Sequence, residues 1–163
     1  MSFRYIAAFA LWFSLTAAAF GQQTSEVVKE ETVRSPDGNG KLRVGQRTVT
    51  RESNANGSNQ VVTETYSSFI PGVALEADGP LELAQRIRIT TTPMPNGGRQ
   101  TITETEARVP AVTNIVMQLV SKEVETVRQI APGVWETQRQ TFGLDGNSRL
   151  VLILDEKATE VEK

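Results

Sequence analysis

A short strand-like unit recurs along this chain of 163 residues. Val62–Tyr66 (VTETY) resembles Ile102–Glu106 (ITETE), and the pair Gln46-Arg47 recurs as Gln85-Arg86 ahead of β-branched residues. The two sets of copies are spaced 39 and 40 residues apart. A recurring unit must find similar local structure in each copy, so it constrains the architecture more than any single motif does. We expect a degenerate two-strand unit used about four times.

Composition favours β-structure throughout the chain after residue 21. Thr and Val each occur 17 times in residues 22–163, and both are β-branched residues that suit a pleated sheet. Runs of such residues, bounded by Gly, Pro, Asn and Asp, predict eight strands. They lie near Glu26–Ser35, Lys41–Ser53, Asn59–Phe69, Leu81–Thr92, Arg99–Val109, Ile115–Ile130, Val134–Phe142 and Ser148–Val161.

The connections between these runs are short and rich in turn residues. Asn56-Gly57 and Asn96-Gly97 supply residues that tolerate positive φ, and Ala131-Pro132-Gly133 is typical of a tight turn. Short links force neighbouring strands to be antiparallel, because a parallel crossover needs a dozen or more residues. The sequence therefore predicts an all-β fold, an antiparallel up-and-down meander of about eight long strands in one domain at residues 22–163.

Charge order supports two of the predicted hairpins. Pairing the strands about Pro132 and about Asn96 brings oppositely charged residues face to face, which helps to set register at about 0.2–1 kcal/mol for each pair. The predicted pairs are Arg128 with Glu136, Glu125 with Arg139, Arg88 with Glu104, and Arg86 with Glu106.

Apolar residues gather at one end of the predicted strands, for example at Leu42, Val44, Leu81 and Leu150–Leu154. That end is expected to bury a core, whereas the other end is polar on both faces. Two forms remain open: a sheet curled into a closed or nearly closed small barrel, and an open twisted sheet. We favour some curling, because an open sheet has two edges to protect.

The first 21 residues differ from the rest. Arg4 is the only charge and Tyr5–Phe20 is almost entirely apolar. Ala17-Ala18-Ala19 and Ala19-Phe20-Gly21 both fit the small-x-small pattern that a signal peptidase needs. This pattern predicts a secretory signal helix, because the apolar run is shorter than the roughly 20 residues of a membrane span. We expect cleavage after Gly21 or Ala19, and hence a secreted or periplasmic protein with no membrane span in the mature chain.

Composition also limits the chemistry. The chain has neither cysteine nor histidine, which excludes disulfides, Ser-His-Asp and Cys-His catalysis, and imidazole metal ligands. Removing Arg4 leaves 16 basic and 19 acidic residues, a net charge of −3. A small negative charge with interleaved signs argues against a nucleic-acid partner.

Four glutamates form the strongest catalytic-looking pattern. Glu104 with Glu106, and Glu123 with Glu125, place two carboxylates on one face of a strand, as a glycosidase needs. No other residue type marks a cleft around them, so we interpret them as a solvated face balanced by arginine.

Two turns and two aromatic residues are the remaining candidates. Asp37–Gly40 and Asp145–Asn147 resemble fragments of calcium loops but lack the full ligand set, so we interpret them as turns. Tyr66 and Trp135 are the best candidates for a contact surface, although packing is the expected role. We assign no catalytic, cofactor-binding or metal-binding residue.

The sequence thus favours an exported, non-enzymatic β-repeat protein with a structural or binding role, whose protein partner would add to an exposed sheet edge. The alternative is a small lipocalin-like barrel that carries an apolar ligand. An outer-membrane barrel is disfavoured because aromatic girdles are missing.

We predict that the exported protein begins at Gln22 or at Phe20, because small residues precede both positions. N-terminal sequencing of the protein from the extracellular or periplasmic fraction tests this. A full-length chain with Met1 retained would contradict it.

Overall fold

The structure, a computed structural model, describes residues 26–36, 40–55, 57–68, 80–110 and 115–162. Eight strands form one sheet in the order β1 to β8. The strands are β1 (Glu26–Pro36), β2 (Leu42–Ala55), β3 (Ser58–Ser67), β4 (Glu82–Pro93), β5 (Arg99–Pro110), β6 (Ile115–Ala131), β7 (Val134–Leu144) and β8 (Leu150–Val161). Every neighbouring pair is antiparallel, so the predicted all-β meander is confirmed, and the predicted strand limits agree within one or two residues.

The tight turns follow from their residues. Asn96 and Gly97 have φ of 58° and 75°, and the Gly98 amide donates to the Pro95 carbonyl at 3.3 Å. Gly133 has φ of 70° after Pro132, as a turn with proline at its second position requires. These predicted turns are confirmed. At the β2–β3 turn Gly57 also has positive φ, whereas Asn56 lies outside the described residues.

Register shifts occur in five of the seven strand pairs. Four of them lie in the pairs β1–β2, β3–β4, β5–β6 and β7–β8, towards the end where the sequence is most apolar. In each of these four, one extra residue on the even-numbered strand has no direct partner, as in a β-bulge. A bulge changes which side chains share a face, so simple alternation does not carry through it.

The paired registers define two faces. We call the face that carries Val49, Glu64, Arg86 and Glu136 the ionic face, because charged residues follow one another across it. The opposite face carries Thr50, Thr63, Thr103 and Thr137 and is called the threonine face. Hydroxyl groups on the threonine face meet across strands, with 3.3 Å between the Oγ1 atoms of Thr50 and Thr63.

The expected apolar core at one end of the sheet is wrong for the described residues. Val49, in the polar half of β2, is the one buried apolar side chain among them, at 3% exposure. Leu42 is 64% exposed and Leu154 is 45% exposed, because a single layer offers these side chains no second layer to pack against.

The sheet does not close. Among the described strands, β1 pairs with β2 alone and β8 with β7 alone, so the open sheet is observed and the barrel is not. The two-strand repeat stays a prediction, and the signal helix at residues 1–21 lies outside the described residues. The same holds for residues 37–39 of the first calcium-like turn.

We predict that Gly98→Ala lowers the free energy of unfolding by about 1–3 kcal/mol, the usual range for overpacking. An ideal Cβ at Gly98 would lie 2.7 Å from the Val127 carbonyl oxygen, on the strand that runs beside this turn. Chemical denaturation measures the change.

Gly146→Ala is the matched control, because a Cβ there has no atom within 4 Å. It is expected to change stability by less than about 0.5 kcal/mol. Equal effects of the two substitutions would contradict the steric explanation.

Candidate functional site: the ionic face and the open sheet edges

Glu64 lies at the centre of the ionic face, and its contacts join β2, β3 and β4. The residue is 8% exposed, and its carboxylate accepts hydrogen bonds from Arg51 Nη1 at 2.7 Å and from Arg86 Nε at 3.0 Å. The hydroxyl of Tyr66 donates to the same carboxylate at 3.0 Å. Arg86 also reaches Glu106 at 3.0 Å, so one chain of charges runs from β2 to β5.

Glu136 has the same role near the last strands. It is 5% exposed, and its two carboxylate oxygens contact Arg128 Nη2 and Lys157 Nζ, each at 2.6 Å. This cluster joins β6, β7 and β8. Further pairs link Arg47 to Glu30 at 2.9 Å on β1, and Arg88 to Glu104 at 3.3 Å between β4 and β5.

The electrostatics follow from these contacts. Hydrogen bonds from Arg51, and then from Arg86 and Tyr66, lower the pKa of Glu64 to about 2, although partial burial opposes the shift. Hydrogen bonds from Lys157 and then Arg128 lower the pKa of Glu136 as well. Both carboxylates are therefore held ionised at neutral pH and act as acceptors only.

All four predicted charge pairs are confirmed. The register sets Arg128 opposite Glu136 and the other three pairs opposite one another, and each pair is in ionic contact. Sequence reasoning missed Glu64 as a centre, because its partners come from two different neighbouring strands. The usable signal was that arginines on both neighbouring strands, Arg51 on β2 and Arg86 on β4, come within reach of Glu64. That signal appears only after β2, β3 and β4 are aligned in register.

The paired glutamates are balanced by basic residues. Glu104 contacts Arg88 and also Lys122 at 3.6 Å, and Glu106 contacts Arg86. On the threonine face, Arg139 lies 3.5 Å from Glu123 and 2.9 Å from Glu125. These contacts agree with the interpretation of the four glutamates as a strand face balanced by arginine.

The two aromatic candidates contact other parts of the same sheet. Tyr66 binds Glu64, and the guanidinium carbon of Arg47 lies 5.9 Å from the centre of its ring. The ring of Trp135 lies against the turn at Gly97, where an ideal Cβ would be 3.6 Å from its Cη2 atom. The structure does not bring the two rings together, since they lie on β3 and β7.

Asp145 organises the β7–β8 turn. Its Oδ1 atom accepts hydrogen bonds from the backbone amides of Asn147 at 2.8 Å and Arg149 at 2.9 Å. Ser148, between them, has φ of 58°. The Asp145 carboxylate thus stabilises the turn through main-chain hydrogen bonds, in agreement with the interpretation of Asp145–Asn147 as turn residues. The residues described contain no cluster of three or more acidic side chains suited to a metal ion.

The outer edge strand β8 carries the longest run of exposed large apolar residues in the part of the chain that the structure describes. The run Val151–Leu154 is exposed throughout, and Ile153 is 63% exposed. Asp155, Glu156, Lys157 and Glu160 follow along the same strand. An apolar run beside a free sheet edge is suited to strand addition, because main-chain groups and side-chain contacts lie on the same line.

The direction of the β8 main-chain groups follows from one hydrogen bond. The Glu162 amide donates to the Gly133 carbonyl at 2.7 Å, towards β7. Successive residues of a strand point their amides in opposite directions, so Ala158 points towards β7 and Thr159 points outwards. Thr159 and Lys157 therefore present main-chain groups that no described strand uses.

The described part of the chain contains one short helical turn, Pro95–Gly97, and no helix long and apolar enough to cross a membrane. No protein-family model, no curated protein and no solved structure matches this chain. The chemistry of the ionic face and of the two edges is therefore the basis for a function.

We predict that Glu64→Gln destabilises the sheet by about 1–3 kcal/mol at neutral pH, because two arginines lose an ionised acceptor. The folded-state pKa is below the ordinary value, so this carboxylate stabilises the fold at higher pH. That stabilisation is lost as pH falls from about 4.5 to about 2. Denaturation at several pH values should show the variant converging with the wild type in that window.

Glu160→Gln is the control, since Glu160 is an exposed carboxylate on the edge strand. The free energy of unfolding of this variant, plotted against pH, should run parallel to that of the wild type. A difference between Glu64→Gln and wild type that stays constant from pH 7 to pH 2 would contradict the role given to Glu64.

Proposed function

We propose that this chain is an exported, non-enzymatic binding protein that accepts an extended segment of a protein partner at the outer edge of β8. The observation that carries the proposal is the edge of β8, which no described strand pairs with, together with its exposed run Val151–Leu154. A partner strand there would satisfy the outward main-chain groups and cover apolar side chains at the same time. Export is the prediction from residues 1–21.

The β8 edge is held in place by the ionic face. Lys157 of β8 binds Glu136 of β7, which also binds Arg128 of β6. Asp155 accepts hydrogen bonds from Gln138 at 3.0 Å and Gln140 at 3.2 Å. An edge strand fixed by its neighbours loses less conformational freedom when a partner adds, which favours binding.

Catalysis has less support in the same geometry. The two least exposed carboxylates, Glu64 and Glu136, are saturated by basic partners and have lowered pKa values, so neither is suited to act as a general base near neutral pH. The carrier alternative required a closed interior lined by apolar side chains, and the open sheet offers none among the described residues.

We predict that Thr159→Pro abolishes partner capture and leaves the fold intact. Proline removes the outward amide of Thr159, which no described strand uses, and proline is accepted at such edge positions. The assay places a photo-crosslinking residue at Ile153 in the exporting cell. We expect a covalent adduct with one partner protein in the wild-type background, and its loss in Thr159→Pro.

Two controls separate binding from folding. Thr159→Val keeps the amide and should keep the adduct. Ala158→Pro removes an amide that points towards β7 and should cost about 3 kcal/mol of stability, which circular dichroism and denaturation measure. Absence of any adduct at Ile153, or an adduct that survives Thr159→Pro, would contradict the proposal.

A further inference from the structure

The opposite edge of the sheet, β1, differs from β8 in being charged along its length. Lys29, Glu30, Glu31 and Arg34 follow one another, with Lys29 and Glu31 in ionic contact on the threonine face. Val28 and Val33, the exposed apolar residues of this strand whose side chains the structure describes, lie on either side of the charged residues 29–31. A partner for this edge must therefore match its charges.

The direction of the β1 main-chain groups is again fixed by a hydrogen bond. The Ser68 amide donates to the Gly45 carbonyl at 3.2 Å, so alternate residues of β2 from Gly45 onwards point towards β3. The residues between them point towards β1, including Thr48 and Thr50, whose partners are Glu31 and Lys29. Val28, Glu30 and Thr32 consequently point their main-chain groups outwards.

We propose that the β1 edge binds a second copy of this chain, β1 against β1, about a two-fold axis at Glu30. In this antiparallel register, residues whose numbers add to 60 face each other. Val28 then exchanges main-chain hydrogen bonds with Thr32 of the second copy, and Glu30 with Glu30 of the second copy. The outward groups of all three residues are satisfied, which joins the two sheets into one.

The same register is complementary in charge. Lys29 faces Glu31 of the second copy, and the symmetry gives this contact twice. Both residues lie in pairs without main-chain hydrogen bonds, where opposite side chains are closest. The two Glu30 carboxylates at the axis each keep their own Arg47, whose Nε lies 2.9 Å from the Glu30 Oε1.

Other two-fold registers of β1 fit less well. Centring on Lys29 sets two lysines opposite each other in a pair without main-chain hydrogen bonds, where side chains are closest. Centring on Glu31 sets Lys29 opposite Val33. Centring on Thr32 brings Pro36, which has no amide hydrogen, into the paired region. Centring on Glu30 pairs residues 26–34 and ends before this proline. It also leaves the β8 edges at the two far ends of the joined sheet, free for the partner proposed above.

The test is self-association measured by sedimentation velocity on the mature protein. The wild type should pass from monomer to dimer between about 1 µM and 1 mM, since one strand pair buries less than a standard interface. Lys29→Glu alone and Glu31→Lys alone each place like charges opposite one another. Each should raise the dissociation constant by about tenfold or more.

Mixing the two single variants is the decisive measurement. In the mixed dimer every glutamate at position 29 or 31 faces a lysine, so dimerisation should return to the wild-type level. Glu160→Lys makes the same charge change on the opposite edge and should leave self-association unchanged. The proposal is overturned if the wild-type protein stays monomeric to 1 mM, or if the mixture dimerises no more tightly than either variant alone. Assembly into oligomers larger than a dimer would also overturn it.

The two proposals fail separately. A monomeric protein that still forms an adduct at Ile153 would overturn the β1 dimer and retain the β8 partner. A dimer without any adduct at Ile153 would do the reverse.

Discussion

Cross-strand polar pairing holds this sheet together in place of an apolar core. Val49 is the one buried apolar side chain among the described residues, so hydrophobic burial in a second layer is not available to them. Main-chain hydrogen bonds run across all eight strands, and the charge networks that include Glu64 and Glu136 tie four and three strands together respectively. The register of each inner strand therefore depends on polar contacts with the strands on both of its sides.

The main-chain groups of this sheet that no described strand uses lie at its two edges. Both faces are covered by charged and hydroxyl side chains that contact each other, whereas β1 and β8 have main-chain groups without a described partner strand. The two edges also differ in chemistry, with charges of both signs along β1 and a run of apolar residues at the start of β8. The two contacts that we propose therefore fall on opposite edges of the sheet, which differ in their chemistry.

Local signals in the sequence were sufficient for the strands and turns. Asn96-Gly97 and Pro132-Gly133 set tight antiparallel turns, and Arg88 with Glu104 set a register, because all of these act between neighbouring strands. The polar centre at Glu64 was not predicted, since it needs three strands in register at once. The apolar core was predicted wrongly because a cluster of apolar residues such as Leu150–Leu154 indicates that burial would be favourable. The sequence does not show whether a second layer is present to bury it.

The bulge at Ile153 has a consequence for which strands β8 can accept. Thr141 is opposite Leu154 and Phe142 is opposite Leu152, so Ile153 is an extra residue on β8. The outward main-chain groups therefore change phase at this point. A regular strand can stay in step with Asp155–Val161 or with Leu150–Leu152, but not with both. The partner segment proposed for β8 has to reach both Ile153 and Thr159, so it must carry an irregularity of its own opposite Ile153.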